Sequence, residues 1–73
     1  MDNNSLLLTY DRVADMAYIY LRHPLSRREI ARADVAPVET PERSSIMLNF
    51  DDYDRLVGIE ILGASKLLPP ELF

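Results

Sequence analysis

The acidic side chains are the groups in this sequence best able to do chemistry. Asp11 and Asp15 sit four residues apart between two apolar segments, and Asp51, Asp52 and Asp54 crowd a later bend. Glu60 stands alone between Ile59 and Ile61. Carboxylates brought together hold hard cations such as Mg²⁺ or Ca²⁺. Two of them act as an acid and base pair when their surroundings drive their pKa values apart. A turn Asp has a plainer use, because its side chain accepts hydrogen bonds from backbone N–H groups two or three residues on. That use is the expectation for Asp11, Asp15 and Asp51. The Asp51–Asp54 stretch lacks the alternating ligands and central Gly of an EF-hand loop, so no metal and no cofactor is expected. Glu60 is the sharper candidate, because an acid between two isoleucines needs a wet face or a partner. Arg12, Arg32 and Arg55 are the partners available.

Other chemistries have little to work with. There is no Cys, and His23 is the sole imidazole. The two glycines, Gly58 and Gly63, are too few for a phosphate-cradling loop. Arg22, Arg27, Arg28 and Arg32 gather half of the eight basic residues into one stretch. They read as a solvated loop or as a patch contacting an anionic partner. Tyr18 and Tyr20, two apart, read as a core or dimer pair, with a stacking platform for single-stranded RNA as the alternative. The net charge of −4 argues against general nucleic-acid binding, which draws on Lys and Arg. Possible recognition residues are therefore Asp11, Asp15, Glu60, Tyr18 and Tyr20.

These side chains must be placed by strands. Leu6–Tyr10 alternates as a first strand, with Leu6, Leu8 and Tyr10 on one face. Met16–Leu21 is apolar on both faces, which suits a strand with neighbours on either side. Residues 29–36 carry Ala31, Ala33 and Val35 alternating with Arg32 and Asp34. The alanines also favour helix, but charge at every second place suits an edge strand. Ser45–Phe50 and Leu56–Leu62 form a hairpin around Asp51–Asp54, with Ile46, Leu48, Phe50, Val57, Ile59 and Ile61 inward. Gly58, on the other face, signals a bulge or the close approach of another side chain. Ser65 is placed to cap a last helical turn that Pro69 stops, and the tail beyond it reads as extended unless Leu72 and Phe73 dock.

The fold class expected is α+β, dominated by a small antiparallel sheet of four to five strands in hairpins with a short C-terminal helical turn. The chain, residues 1–73, reads as one small domain, marginal by itself at this length. A homo-oligomer, with a dimer favoured, is one route to stability. The acidic, polar Met1–Asn4 start is not a signal-peptide start, and no apolar run is long enough to span a bilayer. A cytoplasmic protein without a membrane association is the expectation, and the absence of Cys fits it.

Two segments resemble a known family. Tyr10-Asp11-Arg12-Val13-Ala14-Asp15-Met16-Ala17-Tyr18-Ile19 is similar to the opening of the small bacterial family domain of unknown function 2283. That opening reads Tyr-Asp, two variable residues, Ala-Asp, two variable residues, Tyr-Ile. Val57-Gly58-Ile59-Glu60-Ile61-Leu62 with Ala64-Ser65 resembles its second hallmark, Val-Gly-Ile-Glu-Ile and then Ala-Ser. The family hairpin usually carries Asp-Gly, and here Asp54 stands in the place of that Gly. The resemblance implies a β-rich domain with a short C-terminal helical element and no assigned activity. It also implies an antitoxin-like role for some members beside small RelE-like ribonuclease toxins. The function expected is a non-catalytic protein-binding module with a basic partner. The alternatives are a homo-oligomeric structural domain or, last, a metal-dependent enzyme using Asp11, Asp15 and Glu60.

Overall fold

The computed structural model describes residues 6–73, so the acidic start read above lies outside the described residues. Five strands are present: β1 (Leu7–Asp11), β2 (Met16–Tyr20), β3 (Arg32–Val35), β4 (Ser45–Phe50) and β5 (Leu56–Leu62). They form one antiparallel sheet in the order β1-β2-β5-β4-β3. The doubly apolar Met16–Leu21 segment does lie between two neighbours, and the charge-alternating segment does lie at an edge. That edge strand is shorter than residues 29–36. A 3₁₀ turn, Arg27–Glu29, precedes it, and Ser26 and Glu29 close this turn with reciprocal side-chain to backbone bonds.

Carboxylates set the turns. Asp11 Oδ1 accepts from the Val13 N–H (3.0 Å) and the Ala14 N–H (3.2 Å), which curls the chain from β1 into β2. Asp51 Oδ1 accepts from the Tyr53 N–H (2.9 Å) and the Arg55 N–H (3.0 Å) inside the β4–β5 hairpin. Asp54 takes a left-handed φ of 60° there. Asp is among the few residues that adopt this region at modest cost.

The two faces of the sheet differ. On one, Ala17, Ile61 and Ala64 are buried, with Ile19, Ile59, Leu67 and Leu68 packed around them. Val57 is 2 % exposed on the same face. Burying Val57 and Ile61 contributes about 1.5–3 kcal/mol each. The cover is a single turn, α1 (Ala64–Leu67). Ser65 is not its cap, as the sequence had suggested. Gly63 takes that position with φ 65° and offers no side chain. A Cβ at Gly63 would stand 2.7 Å from the Arg43 carbonyl oxygen, so both the backbone conformation and the space call for glycine. The tail docks, the condition under which it was not expected to be extended. Pro70–Leu72 makes a 3₁₀ turn, and the Phe73 ring packs on Tyr10 with centroids 4.4 Å apart.

Candidate functional site: the open face of the sheet

Among the described residues no α-helix packs on the face opposite α1, which is bordered by the segment around the Arg27–Glu29 turn. Strand register brings Thr9, Tyr18, Glu60 and Met47 into one row across it. Tyr20, Gly58 and Asn49 form the next row. The result is a concavity of about 490 Å³. Its floor is Met16, Tyr18 and Tyr20, and Leu25 and Ile30 wall one side. Thr9, Asp11, Glu60, Asn49 and Arg27 supply its polar groups.

The Tyr18 ring lies over Gly58, where any Cβ would sit 2.1 Å from the phenol oxygen. Both sequence signals at Gly58 are realised, since a register shift also falls at Asn49/Phe50 beside it. Asn49 is buried and donates from Nδ2 to the Tyr18 hydroxyl at 2.6 Å. Tyr18 and Tyr20 stand 4.6 Å apart with tilted rings, and His23 meets Tyr20 edge-on at 5.7 Å. The two tyrosines therefore form one continuous aromatic surface.

The candidate acids divide. Asp11 and Glu60 both line the concavity. Asp15 turns to the helical face instead. Its Oδ1 accepts from the Tyr10 hydroxyl (2.8 Å) and the Ser65 N–H (2.9 Å), and its Oδ2 from the Ser65 hydroxyl (2.7 Å). The Ser65 hydroxyl, with Tyr10 next, holds the Asp15 carboxyl below the usual carboxylate range. The same hydrogen bond to Asp15 raises the Tyr10 phenol. Among the described residues no three acidic or imidazole side chains converge as a metal site would need.

The arginine cluster also divides. Arg22 Nη2 bonds Asp51 at 2.7 Å, and its Nη1 bonds Glu29 at 3.2 Å. Arg32 bonds Asp34 at 3.0 Å and also Asp54, and lies 4.2 Å over the Phe50 ring. Arg27 borders the concavity, and Arg28 borders a smaller hollow with Asp51 and Tyr53. The four cations thus point to different places, two of them already held by carboxylates. Arg55 likewise goes to Asp51, at 3.0 Å. Among the described residues Glu60 has no ion-pair partner.

Asn49, Arg22 and Asp51 matter more here than their sequence context suggested. Asn49 could have been found as the one amide among the apolar residues of Ile46–Phe50. Asp51 had been read as a turn residue, yet it anchors two arginines from different parts of the chain.

A model of the family described as protein of unknown function (DUF2283) matches residues 7–65. This chain belongs to that family. Both segments that carried the resemblance fall on the geometry above. The Tyr-Asp…Ala-Asp opening is the β1–β2 turn with the Tyr10–Asp15 bond, and Val-Gly-Ile-Glu-Ile is β5. No curated protein and no solved structure gives a significant match. No helix among the described residues is long and apolar enough to cross a membrane.

Proposed function

We propose that this DUF2283 domain is a non-catalytic protein-binding module that receives a basic segment of its partner on the open face of the sheet. The observation that carries this reading is the concavity itself, where a continuous Tyr18–Tyr20 floor meets the carboxylates of Asp11 and Glu60. Tyrosine supplies large contact area with few rotatable bonds and is enriched among the residues that dominate interface energies. Carboxylates at such a rim select Lys or Arg and steer a cationic partner in, and the net charge of −4 acts the same way at longer range. A small RelE-like ribonuclease toxin, the partner class that the family resemblance implies, has the required sign of charge because its substrate is a polyanion.

The test is co-expression with the product of the adjacent gene, followed by affinity capture and titration of the purified pair. A complex weakened at least tenfold by Tyr20→Ala and by Glu60→Lys is the expected result. A neighbour that neither binds nor is toxic removes the proposal, as does a complex indifferent to both substitutions.

A further inference from the structure

The two edges of the sheet are built differently. At the β3 edge, Arg32 and Asp34 are bonded to one another, a charged rim that discourages a further strand. Among the described residues the β1 edge has no such device. Leu7, Leu8, Thr9 and Tyr10 are uncharged and exposed, and Leu6 before them is 61 % exposed.

The ladder identifies which backbone groups face outward. The Leu21 N–H donates to the Val57 carbonyl at 3.0 Å, so on β2 the residues Leu21, Ile19 and Ala17 bond towards β5. Alternation then turns Tyr20, Tyr18 and Met16 towards β1. Their partners are Leu7, Thr9 and Asp11. The N–H and C=O groups of Leu8 and Tyr10 are left pointing off the sheet.

We infer that a second copy of this chain adds to the β1 edge, antiparallel, about a two-fold axis at Leu8. The self-complementarity of the row selects a second copy over an unrelated strand. With the axis at Leu8, Leu8 faces its symmetry mate, Leu6 faces Tyr10, and Leu7 faces Thr9. Every one of these pairs is uncharged, and Asp11 falls beyond the paired stretch. Leu6, Leu8 and Tyr10 share the helical face, so their apolar contacts continue the layer that Phe73 already extends over Tyr10. An isologous interface of this kind closes as a dimer and leaves no further strand to recruit, since the outer edges are then the two charged β3 strands. The pairing runs through the outward backbone groups of β1 and shares only Thr9 with the lining of the tyrosine-floored concavity, and it does not rest on the function proposed for that face.

The ladder also supplies a clean perturbation. Leu8→Pro removes an N–H that points away from β2, so it deletes an intermolecular donor and no internal one. Leu8→Lys keeps the donor and adds charge. Sedimentation equilibrium from about 1 to 200 μM should give a dimer for the natural chain. It should give at least a tenfold weaker association for both variants, with far-UV circular dichroism unchanged. Amide exchange reads the same interface in the unaltered chain. Leu8 and Tyr10 amides should gain protection as concentration rises, whereas Leu7 and Thr9 amides are protected throughout. A monomer over the whole range overturns the inference. So does a dimer that both variants form equally well, or Leu8 and Tyr10 exchange that ignores concentration. A chain that stays monomeric alone and takes a strand only from another protein also refutes the second copy.

Discussion

The Tyr18 ring occupies the space that a side chain at position 58 would fill. A Cβ on Gly58 would lie 2.1 Å from the Tyr18 hydroxyl oxygen and 2.6 Å from the ring carbon that bears it. Gly58→Ala therefore forces the ring aside and breaks the bond from Asn49. Overpacking of this kind costs about 1–3 kcal/mol. Tyr18→Ala removes the obstacle, so adding Gly58→Ala to it should cost far less than adding it to the natural chain. Urea unfolding of the four proteins in the cycle measures the coupling. Additive costs would show that the ring moves away freely and that the aromatic floor is not fixed by Gly58.

Acid should weaken the fold chiefly through Asp51. Burial alone would push this carboxyl up. The Arg55 backbone N–H, the Arg22 guanidinium, the Tyr53 N–H and the Arg55 guanidinium outweigh burial and hold it far below the usual carboxylate range. A depressed native pKa means the unfolded chain takes up the proton first. The stabilisation is then complete above the unfolded value near ~4 and is lost as pH falls below it. The melting temperature should accordingly be level near neutrality and fall below about pH 4. Asp51→Asn should lower it at pH 7 by more than about 5 °C and make the acid limb shallower. A smaller slope should persist, because Asp15 is also depressed. Thermal melts of both proteins from pH 7 to pH 2 decide it, and parallel curves would exonerate Asp51.

The sheet was legible because its signals are local. Alternation in Leu56–Leu62, the doubly apolar Met16–Leu21 run and the charged beat of Arg32 and Asp34 each state how many faces of a strand are covered. Gly58 announced a close approach without naming Tyr18, because the approaching side chain is forty residues away in sequence. The same limit applies to the site. Asp11 and Glu60 could be nominated by type, but their meeting depends on β1, β2 and β5 being neighbours in the sheet. Asp15 looked equivalent to Asp11 until the fold turned it to Ser65. Ser65 looked like a cap because its type suits one, and the cap contact to its N–H is supplied instead by a carboxylate fifty residues earlier.

The left-handed position in the β4–β5 hairpin offers a stabilising substitution. Asp54 holds φ 60°, a conformation that costs an L-residue about 1–2 kcal/mol and glycine almost nothing. Its ion pair with Arg32 is exposed, and such pairs contribute about 0–1 kcal/mol. Arg32 also retains Asp34. Asp54→Gly should thus raise stability by about 0.5–1 kcal/mol, less than the full strain because glycine also gives the unfolded chain more freedom. Chemical denaturation with an unchanged m-value is the check. A loss of stability would mean that the Arg32 contact outweighs the backbone.

Asp15 and Glu60 are both candidate recognition acids, and the structure places them in opposite settings. Asp15 ties the β1–β2 turn to the first turn of α1, through the Ser65 hydroxyl and N–H, and it also receives the Tyr10 hydroxyl. Glu60 faces the concavity and has no ion-pair partner among the described residues. Asp15→Asn turns one carboxylate oxygen into an amide donor against donors that need an acceptor. It should lower the melting temperature by more than about 4 °C and loosen α1. Ser65→Ala should do the same to a smaller degree, because the Ser65 N–H remains bonded. Glu60→Gln should leave the melting temperature within about 2 °C and act on partner affinity alone. Melting curves and partner titrations on the three variants separate the roles. A destabilised Glu60→Gln with an untouched Asp15→Asn would reverse the assignment and place the structural acid on the open face.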